Sequence, residues 1–169
     1  MLEPKERLIF ALDVPDGAAA REYVRLLRDD VGLFKVGLEL FLAEGPTILE
    51  VVANAAGHAS VFLDLKLYDI PATVLGAIST IRPGVALVTV PSDLGPTGLK
   101  KIVAGSGFNV LAVTVLTSMS AADLSALGFK PSLAQDPTRL VVRKAAVAQK
   151  AGCRGVVWSG REAAAVRAA

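Results

Sequence analysis

Cysteine and histidine are almost missing from this sequence. Its 169 residues include one cysteine, Cys153, and one histidine, His58. A single cysteine cannot form an internal disulfide, and one residue of each type cannot make a zinc ligand cluster or a neighbouring cysteine–histidine nucleophile pair. We therefore expect neither a metal site nor thiol chemistry, and interpret both residues as structural.

Long apolar runs and clustered charges are missing as well. The longest apolar runs, such as Val110–Val115, are far shorter than the roughly 20 residues of a membrane-spanning helix. No basic-then-apolar signal peptide opens the chain. Lysine and arginine are scattered and the net charge is only +2, which is not the footprint of a nucleic-acid-binding protein. These absences predict a cytoplasmic protein with no membrane or nucleic-acid partner.

The sequence does contain an alternation of strand-like and helix-like segments. Hydrophobic residues make up 53% of the chain and charged residues 20%, which is enough for one globular core. Strands are predicted at Leu8–Val14, Leu33–Gly37, Val61–Leu67, Ala86–Val90, Val110–Thr117 and Gly155–Ser159. Helices are predicted at about Asp16–Asp29, Pro46–Ala56, Pro71–Thr80, Pro96–Ala104, Pro137–Ala151 and from Arg161 onward, with a short extra helix within Ala121–Gly128.

This alternation indicates an α/β fold with a parallel sheet covered by helices. Both an open doubly wound sheet and a (β/α) TIM-type barrel fit the periodicity. Polar residues stand at the carboxyl ends of nearly all the predicted strands, which is where barrel enzymes place their active sites. These residues are Asp13, Lys35, Asp64, Lys66, Thr117 and Ser159. The barrel is therefore favoured. Neither GxGxxG nor GxxxxGK[ST] occurs, so the common nucleotide-binding loops are absent.

Two charges, Asp64 and Lys66, interrupt the third predicted strand, and a third, Asp69, follows it in the stretch VFLDLKLYDIPATV. Because side chains alternate along a strand, Asp64 and Lys66 are expected to project to one side, toward the barrel axis, and the leucines between them to the other. Asp69 follows in the loop. A self-neutralising buried ion pair would stabilise the fold poorly. We therefore favour a functional lysine that is oriented by carboxylates and can donate a proton to a substrate.

The segment LDLKLYDIPATV resembles the DxKxxDIPxT signature of the orotidine 5′-monophosphate decarboxylase family. Supporting segments follow in order: FALDV, FKVGLELF, VLAVTVLTSMSAADL and GVVWSGREAAAVR. The resemblance implies decarboxylation of orotidine 5′-monophosphate to UMP, the last step of de novo pyrimidine synthesis, without a metal or an organic cofactor.

The resemblance also implies a catalytic network of four charged residues. Lys66 would donate a proton to C6 of the pyrimidine as carbon dioxide leaves. Asp64 would lie against the departing carboxylate, and Lys35 would link Asp64 to the ribose. Asp69 completes the network.

Further residues are implied to bind the nucleotide substrate. Asp13 would hold ribose hydroxyls, and Thr117 matches a position near the pyrimidine, with Ser118 and Ser120 as alternatives that the sequence does not separate. The family forms homodimers with shared active sites. Asp69, Ile70 and Thr73 would reach across that interface.

The chain corresponds to about six of the eight βα units of such a barrel, and we expect residues 1–169 to form a single domain that lacks the last two units. Those units carry the phosphate-gripping loops of the family. Two alternatives stay open beside the decarboxylase: a truncated, inactive barrel scaffold, and a related decarboxylase or aldolase acting on a sugar phosphate.

Overall fold

A computed structural model of the protein describes residues 3–57, 61–81 and 84–169. His58 lies outside these ranges, so its structural interpretation stays a prediction. The residues group into two compact units. Unit 1 comprises Met1–Leu65 and Gly76–Thr89, and unit 2 comprises Lys66–Leu75 and Val90–Ala169. The single domain over residues 1–169 stays a prediction.

Unit 1 is built on parallel strands. These are β1 (Ile9–Ala11), β2 (Leu33–Gly37), β3 (Val61–Asp64) and most of β4 (Val85–Pro91). Strand β2 pairs with β1 on one side and with β3 on the other, and β3 pairs with β4, always in parallel. The helices of this unit are α1 (Gly17–Leu27), α2 (Leu38–Glu44) and α3 (Thr47–Ala56), together with the end of α4 (Pro71–Ser79).

The core of unit 1 lies between its strands and the pair of helices α1 and α3. Helix α1 begins at an N-cap, Asp16, whose carboxylate accepts hydrogen bonds from two backbone N–H groups of the first turn. Val24 of α1 and Val52 of α3 are fully buried, as is Phe34 of β2. Burial of these apolar side chains supplies the main force that holds the helices on the sheet.

Unit 2 contains strands β5 (Asn109–Val113) and β6 (Gly155–Val157), which pair in parallel. Its helices are α5 (Gly95–Ser106), α6 (Ala121–Ala126), α7 (Pro131–Ala134), α8 (Pro137–Lys150) and α9 (Ala163–Ala168), and α4 begins in it. A small apolar cluster, which we call the loop core, lies under the long connection from β5 to α8. It comprises buried Leu124, Ala134 and Leu140 and the half-buried Val115, Met119, Phe129 and Leu133 that pack on them.

Most predicted elements are confirmed, and β2 has its predicted bounds. Four strands end earlier than predicted: β1 at Ala11 rather than Val14, β6 at Val157 rather than Ser159, and β3 and β5 as follows. Strand β3 ends at Asp64 rather than Leu67, because the backbone of Lys66 has a φ of 52° and cannot continue an extended strand. Strand β5 ends at Val113 rather than Thr117. Helix α2, which starts directly after β2, was not predicted. No helix in the described ranges is long and apolar enough to span a bilayer.

Candidate functional site

Unit 1 brings together the two predicted residues Asp13 and Lys35. Lys35 lies on β2, and Asp13 lies two residues beyond the end of β1, the strand next to it. The Lys35 Nζ is 3.1 Å from Asp13 Oδ1, with the lysine side chain 23% and the aspartate 65% exposed. The ion pair is therefore open to solvent on its carboxylate side, where a polar ligand can reach it.

Asp64 is the last residue of β3 and is half-buried. Its Oδ1 accepts a hydrogen bond from Thr89 Oγ1 at 2.9 Å. Thr89 lies on β4 and is fully buried, so its hydroxyl holds the carboxylate from inside the sheet. The register places Asp64 beside Gly37, two residues after Lys35 on β2. Sequence reasoning missed Thr89; its only signal was a hydroxyl residue within the apolar run VALVTVP.

Unit 2 begins with Lys66, whose backbone is unusual. It is the one non-glycine residue with a positive φ in the described part of the chain, at 52°. A left-handed conformation costs a residue with a Cβ about 1–2 kcal/mol, and such strain is concentrated at functional sites. Since β3 has already ended, the strand alternation that was predicted to place Asp64 and Lys66 on one side does not extend to Lys66. Strand periodicity therefore does not support that placement, which stays a prediction.

The residues after Lys66 form an exposed loop that leads into α4. The Oδ1 of Asp69 accepts a hydrogen bond from the backbone N–H of Ile70 at 2.6 Å. Tyr68 and Ile70 are each 67% exposed, and Thr73 is exposed on the first turn of α4. The predicted residues Asp69 and Ile70 therefore lie in this loop, and Thr73 lies on the helical turn that directly follows it. Tyr68 was not predicted.

A cavity of about 550 Å³ opens in unit 2 beside the ends of β5 and β6. Its lining residues are Val115, Leu116, Thr117, Met119, Pro137, Thr138, Val141, Ser159, Arg161 and Glu162. Hydroxyl groups, an arginine and a carboxylate share the wall with apolar side chains, a composition typical of small-molecule sites, which occupy roughly 300–1,000 Å³.

The three alternatives after β5 differ in their surroundings. Thr117 lines the cavity, whereas Ser118 and Ser120 do not. Ser120 is the N-cap of α6: its hydroxyl accepts from the Asp123 N–H at 3.2 Å, and both its own hydroxyl and its N–H donate to the Asp123 carboxylate. The hydrogen bonds from Ser120 hold the pKa of Asp123 below its usual value. Ser120 therefore has a capping role that Thr117 lacks.

The described ranges contain no group of three or more histidine, cysteine, aspartate or glutamate side chains that could hold a metal ion. Cys153 is a half-buried free thiol, and burial raises its pKa. Of the predicted catalytic network, Lys35 and Asp64 belong to unit 1, and Lys66 and Asp69 to unit 2. The network of all four therefore stays a prediction.

Comparison with known proteins finds a protein family and individual relatives that match this chain. The family model described as "Orotidine 5'-phosphate decarboxylase / HUMPS family" matches residues 6–169. An orotidine 5'-phosphate decarboxylase of Anaeromyxobacter sp. strain K is 50% identical over 99% of this chain and 73% of its own length. One from Desulfosudis oleivorans is 44% identical over 97% of this chain and 67% of its own length.

Solved structures resemble this chain too. The orotidine 5'-phosphate decarboxylase of Lactobacillus acidophilus has a TM-score of 0.78 at 28% identity, covering 96% of this chain and 75% of that one. An uncharacterized conserved protein from Geobacillus kaustophilus has a TM-score of 0.76 at 35% identity, covering 95% of this chain and 77% of that one. These likenesses confirm the predicted fold class, a (β/α) TIM-type barrel.

Proposed function

Because the chain belongs to the orotidine 5'-phosphate decarboxylase / HUMPS family, we propose that it converts orotidine 5′-monophosphate to UMP and carbon dioxide, the last step of de novo pyrimidine synthesis. The observation that carries the proposal is the 50% identity to a relative of that name over 99% of the chain. The segment with Asp64, Lys66 and Asp69 lies within the matched residues.

Lys66 is proposed as the proton donor. The bond between C6 and the carboxylate breaks, its electron pair stays on C6, and the Lys66 ammonium gives C6 a proton. A cation held close to the developing carbanion stabilises the transition state more than the substrate, which is what electrostatic catalysis requires. The strained backbone of Lys66, with its φ of 52°, supports a position that the fold imposes on this residue for function.

Asp64 is proposed to lie against the carboxylate that leaves as carbon dioxide. Repulsion between the two anions is relieved as the carboxylate loses its charge, so the contact favours the transition state. The hydrogen bond from Thr89 to Asp64, at 2.9 Å, supports this role because it restrains the carboxylate against turning away from the substrate. Asp69 is proposed to complete the network with Lys66.

Lys35 and Asp13 are proposed to bind the ribose. Their ion pair of 3.1 Å orients the Asp13 carboxylate, and a carboxylate accepts hydrogen bonds from two neighbouring hydroxyls well. Lys35 would also link this pair to Asp64. Thr117 is proposed to hydrogen-bond the pyrimidine, and its place on the cavity wall of unit 2 supports it over Ser118 and Ser120.

A homodimer with shared active sites is proposed as the working form, located in the cytoplasm. Asp69, Ile70 and Thr73 would contact the partner's substrate. The high exposure of Tyr68 and Ile70, each 67%, supports an interface here, because neighbouring large apolar side chains exposed together often mark protein contacts.

Mixing Lys66→Ala chains with Asp69→Asn chains tests whether the active sites are shared between subunits. Mixed dimers should regain turnover by forming one intact site, and activity no higher than the average of the two parent variants would contradict shared sites.

The absorbance decrease of orotidine 5′-monophosphate, with UMP confirmed as the product, tests the reaction itself. The wild-type chain should turn over, and Lys66→Ala should lose at least about a thousand-fold in kcat, the scale expected when a key electrostatic group is removed. Lys100→Ala, an exposed lysine of α5, is the matched control and should retain wild-type rates. A folded wild-type chain without turnover would refute the proposal in favour of an inactive scaffold.

A further inference from the structure

One lysine outside the predicted site contacts three separate segments of unit 2. Lys144 lies on α8 with its side chain only 15% exposed. Its Nζ is 2.9 Å from both carboxylate oxygens of Asp93 and 2.9 Å from the backbone oxygen of Thr114. It also lies 5.5 Å from the centre of the Phe129 ring, within the range of a cation–π contact.

The contacted groups mark the places where strands end. Asp93 lies two residues after the end of β4, and Thr114 follows β5 directly. The Thr114 hydroxyl donates to the backbone oxygen of Val157, the last residue of β6, at 2.8 Å. One ammonium group thus connects the carboxyl ends of neighbouring segments, which in a (β/α) fold is the functional end of the sheet.

The Thr114 carbonyl depends on Lys144. Thr114 is 2% exposed, so water has little access to its polar groups. Its other hydrogen-bond donor is the Ser92 hydroxyl, at the long distance of 3.4 Å, where a hydrogen bond between oxygens is weak. Without Lys144 this buried carbonyl would lack a strong hydrogen-bond donor. A rearrangement of the backbone at the start of the following segment would then lower the free energy.

That following segment forms a wall of the cavity. Residues 115–117 and Met119 line it, and so does Val141. Val141 precedes Lys144 by three residues on α8, a spacing that places both on one helix face. Phe129, under the Lys144 ammonium, belongs to the loop core on which Val115 and Met119 pack. Lys144 therefore contacts both Thr114, which directly precedes the wall segment, and Phe129 of the loop core.

We propose that Lys144 is a positioning residue that fixes the segment Val115–Met119, and with it Thr117, by holding the Thr114 carbonyl, Asp93 and Phe129 together. An ion pair that served stability alone would be replaceable by apolar side chains of similar volume at little cost. The role assigned to Lys144 predicts a local effect instead. Its consequence for catalysis rests on the proposed function, whereas its effect on the segment does not.

Amide hydrogen exchange tests the local effect without substrate. Lys144→Met keeps the length and the apolar stem of the side chain but removes the ammonium. The Thr114 and Met119 amides, which donate to Val157 and Leu116 respectively, should exchange about ten-fold faster in this variant, since local opening becomes easier. Amides of β2, in unit 1, should be unchanged. Lys150→Met, an exposed lysine on the same helix, is the matched control and should leave all of these rates as in the wild type.

Steady-state kinetics test the functional consequence. A misplaced Thr117 weakens substrate binding, so KM should rise about ten-fold while kcat changes less than about three-fold. A purely structural role would lower the fraction of active enzyme, which reduces kcat and leaves KM as it was. If the wild-type chain shows no turnover, the proposed function has failed, and the exchange rates still decide the positioning role.

Asp93→Asn carries the same test if Lys144→Met does not fold. It keeps the volume of the side chain and the Lys144 contact to Thr114 but weakens the ion pair between Lys144 and residue 93. A smaller increase in exchange, about three-fold, is therefore expected at the same two amides. Unchanged exchange at Thr114 and Met119 in the folded variant would overturn the proposal. So would an equal increase in β2, because that would indicate global destabilisation.

Discussion

The left-handed backbone of Lys66 makes a prediction about stability that does not depend on activity. Lys66→Ala and Lys66→Gly both remove the ammonium, and with it every contact that the side chain makes, so the difference between them isolates the backbone. Alanine keeps the strain of a Cβ at a φ of 52°. Glycine adopts this conformation freely.

The magnitude follows from two opposing effects. Relief of the left-handed strain favours glycine by about 1–2 kcal/mol, and the greater freedom of glycine in the unfolded chain opposes it by about 0.4–1 kcal/mol. We therefore expect Lys66→Gly to be more stable than Lys66→Ala by up to about 1.6 kcal/mol, or up to roughly 3–6 °C in Tm for a chain of this size. Both variants should be inactive as decarboxylases.

Urea unfolding, followed by circular dichroism, measures the difference. The matched control is Lys101, an exposed residue inside helix α5. There the order should reverse, with the glycine variant less stable than the alanine variant by about 1 kcal/mol. If Lys66→Gly is no more stable than Lys66→Ala, the strain argument is refuted, and with it the support that strain gives to a catalytic position.

Three further predictions follow from other contacts. Thr89→Val removes the hydroxyl that restrains Asp64 and should lower kcat/KM about ten-fold in the decarboxylase assay; unchanged kinetics would contradict that restraint. Gly84→Ala should destabilise the chain by about 1–3 kcal/mol in urea unfolding, because Gly84 has a φ of 103° and a Cβ there would stand 2.7 Å from a side-chain carbon of α3; equal stability would be the contrary result. The pKa of Asp123 is lowered by Ser120, so its stabilising effect is present at neutral pH and is lost as the pH falls through the lowered pKa. Ser120→Ala should therefore lose more stability at pH 7 than at pH 3, and an equal loss at both would count against the pairing.

The fold was predictable where local sequence determines local structure. Strand β2 has its predicted bounds because its five residues, LFKVG, are mostly apolar and end in Gly37. The end of β3 was predicted wrongly because the apolar alternation LDLKL continues through Lys66, whose positive φ has no signature in residue type. Helix α2 was missed because LELFLAE is short and joins β2 without a loop.

The part of the site that could be predicted is the part whose charged residues form a recognisable pattern in the sequence. Asp13 and Lys35 were both predicted to bind substrate, and their ion pair is present. Thr89 gave little signal, because a threonine in a strand is ordinary and only its partner shows its role. The role of Lys144 could not be predicted for another reason. Its partners Asp93 and Thr114 are 51 and 30 residues away in the chain, and residues so far apart in sequence come into contact only through tertiary packing.

Substitutions at the buried residues of the loop core would change the ligand selectivity of the cavity indirectly. Leu124, Ala134 and Leu140 never touch the cavity, yet Val115 and Met119 rest on them and line it. Because interiors are packed as densely as crystals, adding a methyl group at Ala134 would shift the wall rather than fill empty space. A directed-evolution library at these three positions would reshape the pocket while leaving every hydrogen-bonding group of the site in the sequence.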